Sequence, residues 1–170
     1  LLEIVDPYTY RNNLTLPKLI ILGTNDPYWT QDALNLYWDG LTGPKWVLYT
    51  PNSGHGLDDR LRVLATLSAF ARSVADGKPL ARPSWKWNGN TLTVTSNPGP
   101  VSARLWTTTA TTRDFRRSKW VSKDVPVKNG KVTVELPRPA SGFCAGFVEL
   151  TYRQGGRSYT VSTQLRITGS

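Results

Sequence analysis

The fold is decided by two stretches of the first half, KLIILGTND (residues 18–26) and KWVLYTPNSGHG (residues 45–56). Each begins with an apolar run and ends in a loop of small and polar residues. Continuous hydrophobicity is typical of a strand that is buried on both faces of a parallel sheet. Amphipathic spacing over residues 57–74 predicts a helix after the second stretch, and a shorter helix is predicted over residues 31–38. This alternation of strand and helix predicts α/β architecture with right-handed crossovers.

Two strands are too few for such a sheet, and about 80 residues bury too small a core to stand alone. Residues 1–77 are therefore predicted to be one piece of a larger domain. Its sheet edge and apolar helix faces would be exposed unless a missing N-terminal segment or another copy of the chain covers them.

The hydrophobic pattern changes to alternation after KPLARPS (residues 78–84), a stretch that is typical of a linker. Turn signals such as Asn129-Gly130 separate about seven short strands. Residues 85–170 are therefore predicted to form a β-sandwich of the immunoglobulin or fibronectin III kind. The predicted fold class is α/β plus all-β.

The net charge of +9 lies entirely in the second half. Residues 1–82 carry eight basic and eight acidic side chains, whereas residues 83–170 carry thirteen and four. A basic surface attracts nucleic acid, anionic lipid or acidic polysaccharide, and the sign of the charge does not distinguish these ligands. Nucleic acid is not favoured, because no recognised binding motif accompanies the charge.

One segment concentrates basic and aromatic side chains. We define the basic loop as residues 111–120, whose candidate polyanion-binding residues are Arg113, Arg116, Arg117 and Lys119, around Phe115 and Trp120. Charge and stacking there suit an anionic polymer. A solvated basic loop without a ligand is the alternative interpretation.

Other classes of protein are excluded by composition. The single cysteine, Cys144, excludes an internal disulfide and a multi-cysteine metal cluster, and it is interpreted as a buried structural thiol. No apolar run approaches the roughly 18–20 residues that cross a bilayer. No signal peptide is visible, and neither a metal nor a cofactor is predicted.

The strongest candidates for chemistry are Asp26 and His55, each of which follows a predicted strand. Functional residues of open α/β sheets gather at the carboxyl ends of strands. A serine hydrolase needs a histidine to accept the nucleophile's proton and a carboxylate to orient that histidine. The order of acid before histidine is that of the α/β-hydrolases. Either residue alone is common in a turn or on a surface, so the prediction depends on the pair.

The nucleophile of such a triad is missing, because no Gly-x-Ser-x-Gly sequence occurs. Ser53 lies two residues from His55 and is interpreted as a support for the turn. The serine is expected before residue 1, so this chain alone is expected to be inactive. Tyr28 and Trp29 follow the acid and are either core residues or a substrate-binding wall.

Several blocks in order resemble the PhoPQ-activated pathogenicity-related proteins. They are residues 6–11 (DPYTYR), 16–21 (LPKLII), 23–29 (GTNDPYW), 36–39 (LYWD) and 51–57 (PNSGHGL). The resemblance is close over residues 4–75 and loose beyond. It implies an exported, α/β-hydrolase-like protein, periplasmic or extracellular, whose presumed triad acid and base correspond to Asp26 and His55.

Two functions follow. The first is the C-terminal part of an ester or acyl hydrolase, with a parallel α/β-hydrolase sheet followed by the sandwich. The second is a non-catalytic scaffold whose basic half binds cell-surface polyanions or a protein partner.

Overall fold

The computed structural model describes residues 2–170, which form two β-sheets with little helix. The strands are β1 (Lys18–Gly23), β2 (Lys45–Thr50), β3 (Ser84–Asn88), β4 (Thr91–Thr95), β5 (Ser102–Ala110), β6 (Val121–Val125), β7 (Lys131–Glu135), β8 (Phe143–Gln154), β9 (Arg157–Ser162) and β10 (Arg166–Gly169). The helices are α1 (Leu2–Val5), α2 (Arg60–Ala75) and two 3-10 helices, Pro7–Asn13 and Ala33–Leu36. Within this part of the chain, no helix has the length and apolar character to span a membrane.

The larger sheet has seven strands in the order β1-β2-β9-β8-β5-β6, with β10 paired to β8. Across residues 2–170 its only parallel pair is β1 with β2, and the other pairs are antiparallel. The smaller sheet, in the order β3-β4-β7, contributes Leu92, Val94, Val132 and Val134 to a core shared with β5, β8 and β9.

The predicted fold class, part of an α/β-hydrolase parallel sheet followed by a separate immunoglobulin or fibronectin III-like sandwich, is wrong. The strands β1 and β2 do pair in parallel, but the other edge of β2 bridges to β9 through Val47 and Ser162. One mixed, mostly antiparallel sheet therefore runs through both halves. Hydrophobicity indicated that β2 is buried, but it carries no information about which strand lies beside it.

The hydrophobic core also draws on both halves. One cluster joins Leu34, Trp38, Val47 and Tyr49 with Phe115, Trp120, Ala145, Phe147 and Leu165. The Trp46 indole donates a hydrogen bond to the Ala81 carbonyl at 2.8 Å, inside the predicted linker 78–84. The division into units 1–77 and 85–170 stays a prediction.

The amphipathic helix is confirmed as α2, close to its predicted bounds. Asp59 caps its first turn by accepting a hydrogen bond from Arg62 N at 3.2 Å, and Gly77 follows its end with φ +62°. By contrast, the helix predicted over 31–38 is only the 3-10 turn Ala33–Leu36.

The side of α2 that faces the sheet is mixed, with Ala69 and Phe70 packed against the hydrophobic core beside two buried polar residues. Thr66 and Ser73 are buried, and the Thr66 hydroxyl donates to the Thr160 carbonyl of β9 at 3.0 Å. Most of the predicted apolar stripe points to solvent, and Phe70 is its member that packs inward; the exposed members are Leu61 (85% exposed), Leu64, Leu67 and Val74. We call this set the outer face of α2. Among residues 2–170, neither it nor the free edge of β1 is covered.

Candidate functional site

The loops that follow β1 and β2 lie side by side, because these strands are parallel and their carboxyl ends coincide. Two main-chain hydrogen bonds join the loops, from Thr24 N to Thr50 O at 3.1 Å and from Asn25 N to Ser53 O at 2.9 Å. The first loop carries Asp26, and the second carries His55. The parallel register thus brings the two predicted residues together.

Gly23 allows this close approach. A Cβ atom at Gly23 would lie 2.4 Å from the Gly54 carbonyl oxygen and 2.5 Å from that of Ser53, both of them main-chain atoms. The glycines that flank His55 do not have this role, since a Cβ at Gly54 would meet only the Asn25 carbonyl oxygen, at 3.9 Å. The left-handed backbone conformations of this loop belong to Asn52 and Leu57.

Asp26 and His55 form a direct pair. The Nδ1 atom of His55 lies 2.9 Å from Oδ2 of Asp26. The other carboxylate oxygen, Oδ1, accepts hydrogen bonds from the main-chain N–H groups of Tyr28 at 2.8 Å and Trp29 at 3.2 Å. Asp26 is only 5% exposed, whereas the His55 side chain is 56% exposed. One side of the imidazole is thus held by protein and the rest meets solvent.

The charge of Asp26 decides which imidazole nitrogen carries the proton. Burial raises the pKa of Asp26, but hydrogen bonds from Tyr28, His55 and Trp29 outweigh burial and bring the pKa below 3.8. At neutral pH the carboxylate is therefore ionised and only accepts hydrogen bonds. In a neutral His55 the proton then lies on Nδ1, which leaves the Nε2 lone pair free as a base.

The two aromatic residues after Asp26 are both exposed. The Tyr28 ring meets the His55 ring edge to face, with 5.1 Å between the ring centres. Trp29 also points outward, and both residues hold Asp26 through their main-chain N–H groups. Tyr28 is thus a wall beside the imidazole.

The two residues that could be considered as nucleophiles, Ser53 and Cys144, are both buried. Ser53 is buried, and its hydroxyl accepts from Asp58 N at 2.6 Å and lies 3.3 Å from Asp58 Oδ2. It supports the turn that leads into α2. Cys144 is buried in β8, where burial raises the pKa of its thiol. Over residues 2–170, no group of three His, Cys, Asp or Glu side chains could hold a metal ion.

Two asparagines that the sequence did not single out tie both candidate loops to the basic loop. The side-chain amide of Asn25 donates to the carbonyls of Phe115, Arg116 and Ser118, at 2.7 Å in the last case. Asn52 donates to the Trp120 carbonyl at 3.0 Å and accepts from its N–H at 2.7 Å. The signal available in the sequence was an asparagine directly before Asp26 and another three residues before His55.

The basic loop therefore lies beside the two loops that carry Asp26 and His55. Phe115 and Trp120 are its buried anchors. Of the four predicted polyanion-binding residues, Arg113 pairs with Asp32 at 2.8 Å and Arg116 pairs with Asp114 at 2.6 Å. Arg117 and Lys119 make no ion pair within residues 2–170.

Comparisons with known proteins give a match to a family model and a match to a relative. The model of the family described as PhoPQ-activated pathogenicity-related protein matches residues 1–116. The chain is also 26% identical over 198 aligned residues to the autocrine proliferation repressor protein A of Dictyostelium discoideum. That alignment covers 99% of this chain but only 40% of the relative. No solved structure matches the chain.

Proposed function

This chain belongs to the PhoPQ-activated pathogenicity-related protein family, and on that premise we propose that it supplies the acid and the base of a serine-hydrolase-type site for ester or acyl hydrolysis. The observation that carries the proposal is the 2.9 Å contact between His55 Nδ1 and Asp26 Oδ2. The ionised carboxylate, the free Nε2 atom and the exposed imidazole support it.

In this mechanism His55 Nε2 accepts the proton of a nucleophilic hydroxyl as the hydroxyl oxygen attacks the substrate carbonyl. Asp26 holds the imidazole in the productive tautomer and stabilises the imidazolium that forms. His55 then returns the proton to the leaving group. The buried Asp26 carboxylate, fixed by two main-chain N–H groups, suits this orienting role.

The nucleophile lies outside these 170 residues in our proposal. The length of the Dictyostelium relative supports a longer protein, since the alignment covers 40% of it. Ser53 is engaged with Asp58 and Cys144 is buried, so neither competes for the role.

The test is hydrolysis of a p-nitrophenyl ester by the full-length protein. We expect His55→Ala and Asp26→Asn each to lower kcat by about 10³-fold or more, because each removes the base or its correct tautomer. The exposed Asp39 provides a matched control, since Asp39→Asn makes the same chemical change away from the pair. Ester turnover that survives His55→Ala contradicts the proposal.

A second candidate is a non-catalytic, exported protein whose basic half binds polyanions or a protein partner. It is favoured by the location of the +9 charge and by the name of the Dictyostelium relative, an autocrine repressor of proliferation. This candidate is supported if a biological effect of the full-length protein is unchanged by His55→Ala but is lost when the basic loop is deleted.

We also propose that chain outside residues 1–170, and not a second copy, covers the β1 edge and the outer face of α2. Exposed leucines on a helix are typical of a surface that contacts another element. In the full-length protein, Leu64→Glu is then expected to destabilise the fold by about 2–4 kcal/mol, as for other buried leucines. The control is Leu36→Glu, on an exposed leucine away from α2. A neutral Leu64→Glu, or a dimer that Leu64→Glu dissociates, contradicts this arrangement.

A further inference from the structure

A cavity opens on the turn that follows Asp26. Its volume is about 290 Å³, and it is lined by Pro27, Thr30, Gln31, Arg113, Asp114 and Arg116. The first three belong to the turn whose main chain holds the Asp26 carboxylate. The last three belong to the basic loop. The cavity therefore lies between the turn that follows Asp26 and the basic loop.

The lining is rich in hydrogen-bond donors. Gln31 is only 4% exposed, and its Nε2 atom is buried, without a hydrogen-bond partner within residues 2–170. Two arginines add planar arrays of N–H donors, which match the oxygens of carboxylates and phosphates.

The charge around the cavity is positive even after its ion pairs are counted. The basic loop has four basic side chains and one acidic side chain, Asp114. Arg116 holds the pKa of Asp114 down to about 2, so this carboxylate is charged and engaged. Asp32 adds one negative charge through its pair with Arg113. An excess of two positive charges remains, which corresponds to Arg117 and Lys119.

The basic loop is also preorganised. Phe115 and Trp120 are buried, and Asn25 binds three carbonyls of the loop. Because Asn25 precedes Asp26, these hydrogen bonds link the basic loop directly to the segment that carries the candidate acid. A rigid cationic loop loses little conformational entropy when it binds a ligand.

We propose that this cavity binds an oxyanion group of the substrate, a carboxylate, sulfate or phosphate, and thereby makes the Asp26–His55 site selective for anionic esters. This inference rests on the proposed hydrolytic function and names its substrate class. Arg113 and Arg116 contact the oxyanion, while Arg117 and Lys119 attract it.

The test compares two esters with the same chromophore on the full-length protein at low ionic strength. In 4-nitrophenyl adipate a carboxylate replaces the terminal methyl of 4-nitrophenyl hexanoate. We expect kcat/KM to be about 10-fold or more higher for the adipate, chiefly through KM. Arg116→Gln is expected to remove most of this preference, and Asp114→Asn to increase it, because it deletes a competing carboxylate.

Arg138→Gln is the matched control, since it removes one exposed positive charge away from the cavity. It is expected to leave the ratio of the two kcat/KM values unchanged. Equal turnover of the two esters, or a preference that survives Arg116→Gln, overturns the inference. Retention on heparin without discrimination between the esters also overturns it, because the loop would then serve a polyanion.

A protein that hydrolyses neither ester would contradict the proposed function, and the subsite is then tested by binding alone. Titration with succinate is expected to shift the backbone NMR signals of residues 26–31 and 111–120. Arg116→Gln is expected to weaken this binding, and Arg138→Gln is not. Absence of shifts at these residues at low ionic strength overturns the subsite independently of catalysis.

Discussion

Asn52 and Trp120 exchange two hydrogen bonds. The Asn52 side-chain amide donates to the Trp120 main-chain carbonyl, and the Trp120 main-chain N–H donates to the Asn52 side-chain oxygen. These bonds join the His55 loop to the end of the basic loop. Asn52 also has φ +55°, a left-handed conformation that asparagine tolerates better than most residues.

Replacement of Asn52 is expected to loosen the basic loop. Asn52→Gly keeps the left-handed backbone and loses only the side-chain bonds, so we expect a loss of about 1–3 kcal/mol in unfolding free energy. Asn52→Ala is expected to cost about 1 kcal/mol more, because alanine is strained at this φ. The measurement is urea unfolding of the full-length protein, with hydrogen exchange over residues 111–120. If hydrogen exchange over residues 111–120 is no faster in Asn52→Gly than in the exposed-site control Asn12→Gly, Asn52 does not hold the basic loop.

Gly23 offers a test of how closely the two candidate loops must approach. Gly23→Ala places a methyl group 2.4 Å from the Gly54 carbonyl oxygen, so main chain must move. We expect a destabilisation of about 1–3 kcal/mol and a change in the His55 NMR signals. Gly54→Ala is the matched control, since its methyl meets nothing closer than 3.9 Å and is expected to change stability by less than about 1 kcal/mol. Equal stabilities of these two variants would refute the close-approach argument.

The local elements of this fold were accessible from sequence. Continuous hydrophobicity located β1 and β2, and three- and four-residue spacing located α2. The Asn129-Gly130 pair forms its predicted turn, with φ +51° and +71°. These features depend on neighbouring residues alone. The strands on either side of that turn nevertheless enter different sheets, β6 the larger and β7 the smaller.

The assembly of these elements was not accessible. Periodicity identifies an apolar face of α2 but does not say what that face meets, and in residues 2–170 most of it meets solvent. The β2–β9 bridge joins residues more than a hundred positions apart, and no local signal specifies it. At the site, chain order was enough to select Asp26 and His55. The side chains of Asn25 and Asn52 bind main-chain carbonyls, which every residue has, so sequence cannot identify their partners.

The pair of Arg62 with Glu149 is expected to stabilise the packing of α2 on the sheet. The guanidinium of Arg62 contacts the Glu149 carboxylate of β8, whose side chain is only 4% exposed and also accepts from the Trp106 indole at 3.2 Å. Removing one partner of a buried pair leaves the other charge uncompensated, so Arg62→Met is expected to cost about 3–5 kcal/mol.

Two further variants separate charge from packing at this pair. The double variant Arg62→Met/Glu149→Met is expected to recover most of the lost stability, because both charges are then gone. The exposed pair of Arg104 with Asp124 is the control, and Arg104→Met is expected to cost less than about 1 kcal/mol. Urea unfolding of the full-length variants measures all three, and equal costs for Arg62→Met and Arg104→Met would contradict the prediction.

The carboxyl of Asp26 is expected to titrate below pH 3.8 in the folded protein. Burial alone would raise its pKa, so the lowered pKa reports the hydrogen bonds from Tyr28, His55 and Trp29. Because the folded pKa lies below the unfolded one, the stability that Asp26 contributes is complete above about pH 4 and is lost as pH falls through the folded pKa. Carboxyl NMR of the full-length protein measures the midpoint. His55→Ala should raise it, since one hydrogen bond and one nearby charge disappear, while the Asp114 carboxyl, held by Arg116, should not move. A wild-type midpoint above 3.8 would show that burial outweighs these hydrogen bonds, and a midpoint unchanged in His55→Ala would show that His55 does not interact with this carboxylate in solution.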